Sequence, residues 1–180
     1  MFRGRQMKHI FNITCPIRVP DGTLVSPFLN SKDSTSGLPF DFIDGFSLSA
    51  GTIEAGTKSK IHIMPFVTQV TFVREGKLEV RMKCTEDEDL YYLRISAEQS
   101  IITRPGSLLQ LINRGDKPCK VLYIVSPAYI YEMSKGVVIY DDTAVLDEDW
   151  KDLRESGWKS AKELPTMKRR LAAIKRLVER

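Results

Sequence analysis

Apolar and polar residues alternate through the middle of this chain. From Lys77 to Cys84 the positions Leu78, Val80, Met82 and Cys84 interleave with Lys77, Glu79, Arg81 and Lys83. This period of two turns one set of side chains to a core and the other to water, as a half-buried β-strand requires. Runs of β character surround it, and in order they read FSLSAGTIE, KIHI, TQVTFVRE, KLEVRMKC, LYYLRIS, QSIITR, SLLQLIN and CKVLYIVSP. Turn formers separate most of them, and their close spacing predicts an all-β sandwich or barrel.

The flanks differ. Pro16, Pro20, Pro27 and Pro39, with Gly22, Gly37, Gly45 and the turn-forming stretch NSKDSTSG, predict an irregular N-terminal arm. After Pro127 the strand pattern fades through YDDTAVLDEDW, and the last thirty residues turn helical. Pro165 suits a first-turn position, and Met167, Leu171, Ile174, Leu177 and Val178 form a stripe at helical spacing among Lys168, Arg169, Arg170, Lys175 and Arg176. Such a helix docks its apolar side on the barrel or on a second subunit. Its basic side would also suit a membrane surface or nucleic acid, but no aromatic interleaving or reading motif accompanies it. The expected organisation is a single domain: an arm over residues 1–45, a barrel over 46–131 and a C-terminal extension over 132–180.

Composition narrows the picture. At 180 residues, 42% hydrophobic and 28% charged, the chain matches a soluble one-domain protein. No window approaches the roughly 18 apolar residues of a membrane span. Polar residues break the N-terminus before an apolar signal region can form, so a cytoplasmic location is expected and a membrane partner is not. Cys15, Cys84 and Cys119 are odd in number and lack zinc-knuckle spacing, which predicts reduced, mostly buried thiols. The net charge of +4 is concentrated in the tail: residues 151–180 carry ten Lys/Arg against four Asp/Glu, leaving residues 1–150 near −2. Nucleic acid is therefore not an expected partner. The acidic TEDED, residues 85–89, reads as a solvated loop between strands. Walker-type loops, GxSxG, CxxC and HExxH are absent from the sequence.

The chemistry-bearing residues lie between Gly56 and Asn113. Gly56 is followed after five residues by His62, then by Met64, Gln69 and Gly76; downstream, Glu98, Arg104, Gly106, Leu109 and Asn113 recur at regular intervals. These spacings resemble the two motifs of the cupin superfamily, G-x5-H-x-H-x3-4-E-x6-G and G-x5-P-x-G-x2-H-x3-N. Met64 stands at the second His position, Gln69 at the Glu, Glu98 at the second motif's first Gly, Arg104 at its Pro and Leu109 at its His.

The resemblance implies a double-stranded β-helix, the jelly-roll cupin barrel, with its site inside. It implies either one divalent transition metal (Fe, Mn, Ni or Zn) on His62 and Gln69, or no metal and His62 as acid or base. Thioether is a poor ligand for such ions and leucine is none. An unperturbed imidazole titrates near neutrality and suits proton transfer. Metal-free cupins that resemble this arrangement pair a histidine with a tyrosine, for which Tyr92 and Tyr123 are the candidates. Gln69, Thr71 and Gln110 are candidates to orient a polar substrate. Met64, Leu109 and Leu111 make the cavity greasier and favour a partly apolar small-molecule ligand. His9 has no motif around it. The expected function is a small-molecule enzyme for isomerisation, dehydration or cyclisation, with metal-assisted chemistry including dioxygenation as the variant. A non-catalytic metabolite-binding cupin that assembles with a partner is the alternative. Cupins often pair through N-terminal strands, so a homodimer is expected.

Overall fold

The computed structural model of the chain describes residues 12–29, 45–84, 89–147, 149–155 and 163–179. His9, the NSKDSTSG stretch and residues 85–88 of the acidic run lie outside them.

All eight β runs form strands: β3 Ser47–Ile53, β4 Ile61–Ile63, β5 Thr68–Glu75, β6 Lys77–Lys83, β7 Tyr91–Ser96, β8 Ser100–Thr103, β9 Leu108–Ile112 and β10 Cys119–Ser126. The stretch expected to be an arm supplies two more, β1 Ile17–Arg18 and β2 Leu24–Leu29. The region where the pattern fades holds three, β11 Tyr131–Ser134, β12 Val137–Asp141 and β13 Ala144–Leu146. One antiparallel sheet runs β1-β2-β3-β10-β5-β8; the facing sheet runs β13-β4-β9-β6-β7, and β11 pairs with β12 beside them. The two large sheets form the jelly roll, and segments on both sides of residues 46–131 pair into them.

Side-chain alternation decides what lies between the sheets. In β6, Leu78, Val80 and Met82 are buried while Lys77, Glu79, Arg81 and Lys83 face outward. Across the barrel, Val73 on β5 and Val121 and Tyr123 on β10 join them in one core cluster with Met64, Leu109 and Leu111. Burying each such aliphatic side chain contributes about 1.5–3 kcal/mol. Cys119 is buried there, which pushes its thiol up to about 11. Cys84 is half-buried and Cys15 is exposed, so the thiols are free as expected but not mostly buried.

Two turns explain the retained motif spacing. Gly76, between β5 and β6, has φ +90°, and a Cβ there would press on the Cys119 backbone at 3.2 Å. Glu98, at the position where the resembled motif has its first glycine, holds the same left-handed conformation at φ +69°. Asn113 is structural: its Nδ2 donates to the Ile53 and Lys117 carbonyls and its Oδ1 accepts from the Gly115 amide.

The C-terminal extension carries α1 Trp150–Glu155 and α2 Met167–Val178. Leu153 of α1 packs with Ile61, Ile63, Leu108 and Leu146. Thr166 caps α2, its hydroxyl accepting from the Arg169 amide, so Pro165 lies just outside the helix rather than in its first turn. The buried face also differs from the expected stripe. Arg170, Ala173 and Leu177 are buried, with Ile174 packed beside them, whereas Met167 and Leu171 are exposed; the Val178 side chain lies outside the described residues. The reason is an ion pair: Arg170 Nε meets Asp142 Oδ1 at 3.0 Å and fixes the rotation of the helix. Arg176 adds a second tie, to buried Glu132 on β11. Among the described residues no helix is long and apolar enough to cross a membrane.

Candidate functional site

A cavity of about 150 Å³ opens within the barrel, walled by β3, β4, β5, β9 and β10 and completed by two segments from outside the motif region. The first is the β1–β2 hairpin, which brings Val19, Asp21, Thr23 and Val25 across it. The second, residues 129–145, contributes Tyr129, Tyr131, Asp141, Thr143 and Val145. Much of the wall is apolar, including Leu48, Met64, Leu111 and Val125.

His62 lies on this wall with its ring almost wholly buried. Its Nδ1 stands 3.1 Å from the Lys60 carbonyl and 3.6 Å from Asp21 Oδ2. A carbonyl oxygen can only accept, so Nδ1 carries the proton, and in the neutral ring Nε2 holds the lone pair. The Lys60 amide donates to the Asp21 carbonyl at 2.6 Å, locking the hairpin onto the start of β4. The Asp21 carboxylate is fixed by Thr23, whose amide and hydroxyl donate to Oδ1 at 2.9 and 2.8 Å.

A second polar group faces the same space. The Tyr129 hydroxyl donates to Asp141 Oδ1 through a short hydrogen bond and lies 2.6 Å from the Thr143 hydroxyl; the Thr143 amide also donates to Asp141 Oδ1, at 2.8 Å. Burial pushes the Asp141 carboxyl up to about 6 against the lowering effect of these bonds, and the neighbouring charges of Asp142 and Asp21 push the same way. Burial and the charge of Asp141 hold the Tyr129 phenol well above its ordinary range. Tyr123 is raised mainly by burial and then by Asp21, while a hydrogen bond with Thr23 opposes the rise.

The residues singled out in the sequence divide between two sides of the barrel wall. His62, Met64, Gln69, Leu111 and Tyr123 line the cavity. Thr71 is buried behind it and accepts a hydrogen bond from Gln69 Nε2 at 3.2 Å. Leu109 pairs directly across from His62 and is packed into the core without lining the space. Gln110 and Tyr92 face away from the cavity, which corrects both expectations. Gln110 joins Trp150 Nε1 at 2.9 Å to the Ser59 carbonyl at 3.0 Å, on the outer face of β9. Tyr92 is 60% exposed and lies under the Arg81 guanidinium. Parity is the cause: Leu93 and Ile95 take the inward positions of β7, so Tyr92 must point out. Sequence reading missed Asp21, Tyr129, Asp141 and Thr143. The adjacent pair Asp141-Asp142 at a strand end was the signal that could have raised the question.

The donor set does not fit a divalent metal of the expected kind. Across from His62 stands leucine and the second His position holds a thioether, so of the expected set only the His62 ring and the Gln69 amide oxygen could ligate such an ion. Among the described residues no three His, Cys, Asp or Glu side chains converge as metal ligands.

No family model matches the chain, and no curated protein matches it. Solved structures do. The cupin domain of Drosophila melanogaster CENP-C superposes with a TM-score of 0.50 at 13% identity, over 62% of this chain and 71% of that one. An oxalate oxidase superposes with a TM-score of 0.50 at 20% identity, over 61% of this chain and 53% of its own, so the match spans about half the oxidase. Peruvianin-I, a cysteine peptidase from Thevetia peruviana latex, gives 0.50 at 17% identity over 61% of this chain and 63% of its own. At these identities the likeness establishes the fold, and the fold is the cupin double-stranded β-helix. Its neighbours include enzymes and a domain of another kind, so function must be argued from the site.

Proposed function

We propose that this cupin-fold chain is a small-molecule enzyme that relocates protons on a substrate held in the barrel cavity. One observation carries the reading: two buried acid–base groups of unlike character, His62 beside Asp21 and Asp141 beside Tyr129, face one small apolar space. His62 has its Nδ1 proton directed to the Lys60 carbonyl, which orients the ring and leaves Nε2 to accept a proton from substrate. Asp141, titrating at about 6, holds a proton for part of the time near neutrality and can return it to another substrate atom or to a departing hydroxyl. Those two roles suffice for an isomerisation or a dehydration, and a cyclisation needs the same pair. A volume near 150 Å³ accommodates a body of about benzene size.

The test is hydrogen exchange into substrate. Small molecules found to bind the cavity are incubated in D2O with the wild-type chain, with His62→Gln and with Asp141→Asn, and their C–H signals are followed by NMR. The reading expects deuterium incorporation or product with wild type and a loss of about 100-fold or more in each variant. Binding without exchange or product in any of the three would overturn it in favour of the alternative, a non-catalytic binding module. That alternative draws on the apolar residues at the ligand positions, Met64 and Leu109. For assembly we propose a homodimer joined along β1, the outer strand of the six-stranded sheet, where Ile17 is half exposed. Sedimentation equilibrium of wild type and Ile17→Lys tests it, and a wild-type monomer would refute it.

A further inference from the structure

We propose that the cavity selects a small molecule with an apolar body and a hydrogen-bond-donating, preferentially cationic head, such as a primary amine, and rejects carboxylates and phosphates. This rests on the cavity being the site of action, as argued above. Both carboxylates have one oxygen occupied by the protein and one left over. Asp141 Oδ1 takes the Tyr129 hydroxyl and the Thr143 amide, while Oδ2 receives no hydrogen bond from a described residue. Asp21 Oδ1 takes both groups of Thr23, while Oδ2 has, among the described residues, only the 3.6 Å approach of His62. Gln69, 7% exposed, spends its Nε2 on Thr71, so its Oε1 is a further acceptor on the wall. His62 adds the Nε2 lone pair.

Three hydroxyls beside these acceptors are already committed. Tyr129 gives its proton to Asp141, the Thr23 hydroxyl gives its own to Asp21, and Tyr123 is engaged with Thr23. Among the described residues no lysine or arginine lines the cavity. An anion placed here would be desolvated beside two carboxylates with no lysine or arginine among the described residues of the wall to meet it, whereas an ammonium would find charge-assisted acceptors there. The mutual repulsion that helps raise the Asp141 carboxyl is the same field that would attract such a cation.

An isosteric series separates head group from body. Isobutylamine, isobutanol and isobutyrate are titrated into the isotopically labelled chain at pH 8, where the amine is protonated and the acid ionised, and followed by amide chemical shifts. The amine is expected to bind about tenfold more tightly than the alcohol, and isobutyrate not measurably. Asp21→Asn and Asp141→Asn should each bring the amine towards the alcohol while leaving the alcohol within about twofold. Isobutyrate binding as well as the amine, or amine binding unchanged in the Asp21→Asn/Asp141→Asn double variant, would overturn the charge selection and leave the cavity as a ligand site. Failure of all three probes to shift cavity resonances up to their solubility limits would overturn the cavity itself, and the proposed function with it.

Discussion

Replacing Arg170 with methionine removes the cation from a buried ion pair while keeping most of the side-chain volume. Asp142 is fully buried, and Arg170 Nε reaches its two oxygens at 3.0 and 3.2 Å while Nη2 donates to the Ala128 carbonyl at 2.9 Å. Removing one partner of a buried pair costs about 3–5 kcal/mol, because the remaining charge is left without compensation. Asp142 keeps the Ile130 amide and the Tyr140 hydroxyl, each at 2.8 Å, so the low end, about 3 kcal/mol, is expected. In a chain of this length that corresponds to a fall in melting temperature of about 6–12 °C. The loss should depend on pH. Burial already holds the Asp142 carboxyl above its ordinary value despite the guanidinium, and it rises further in the variant. A carboxyl whose folded-state pKa is raised contributes stability at low pH that is lost as pH rises through that pKa. Urea denaturation at pH 5 and pH 8 should therefore show a smaller penalty at pH 5. Asp142→Asn combined with Arg170→Met should recover most of the loss, to within about 1 kcal/mol of wild type, because no unpaired charge remains. A penalty under about 1 kcal/mol at pH 8, an equal penalty at both pH values, or strictly additive single variants would refute the reasoning.

Four further outcomes follow. Glu98→Gly relieves a left-handed non-glycine residue and should stabilise by about 0.5–1 kcal/mol after the glycine entropy cost, as measured by urea denaturation; a loss of stability would contradict it. Gly51→Ala places a Cβ 2.3 Å from the Tyr123 ring and 2.9 Å from Val121, and should destabilise by about 1–3 kcal/mol while perturbing cavity resonances; neutral behaviour would show that β3 can shift freely. Asp141 titrates at about 6 in the folded chain against an ordinary value near 4, so its contribution to stability falls as pH rises between those values and is flat above them. Asp141→Asn should remove that slope, and an unchanged wild-type-like slope would refute the assignment. Elemental analysis of the purified chain beside His62→Ala should find no stoichiometric first-row metal in either; a stoichiometric metal lost on substitution would overturn the donor-set argument.

Local patterning determined the barrel. Leu78, Val80 and Met82 alternate with charged neighbours, and that period dictates a strand with one buried face wherever the strand is placed. The glycine spacing around His62 and Gly76 carried the motif resemblance, and Gly76 and Glu98 both stand at left-handed turns. The candidate site was legible only in part. His62, Met64, Gln69, Leu111 and Tyr123 were readable because they fall in or beside the β runs, but their orientation depended on parity, which β7 resolved against Tyr92. Asp21, Tyr129, Asp141 and Thr143 lie before or after the barrel runs and meet there only through long-range pairing of β2 with β3 and of β13 with β4. The helix face was set the same way. Met167 and Leu171 satisfy an apolar stripe by themselves, yet the rotation of α2 follows the buried charge of Asp142, 28 residues upstream of Arg170. Periodicity is a property of neighbours along the chain and is written in the sequence. A cavity's electrostatics belongs to residues brought together from distant segments, and only the tertiary structure decides which they are.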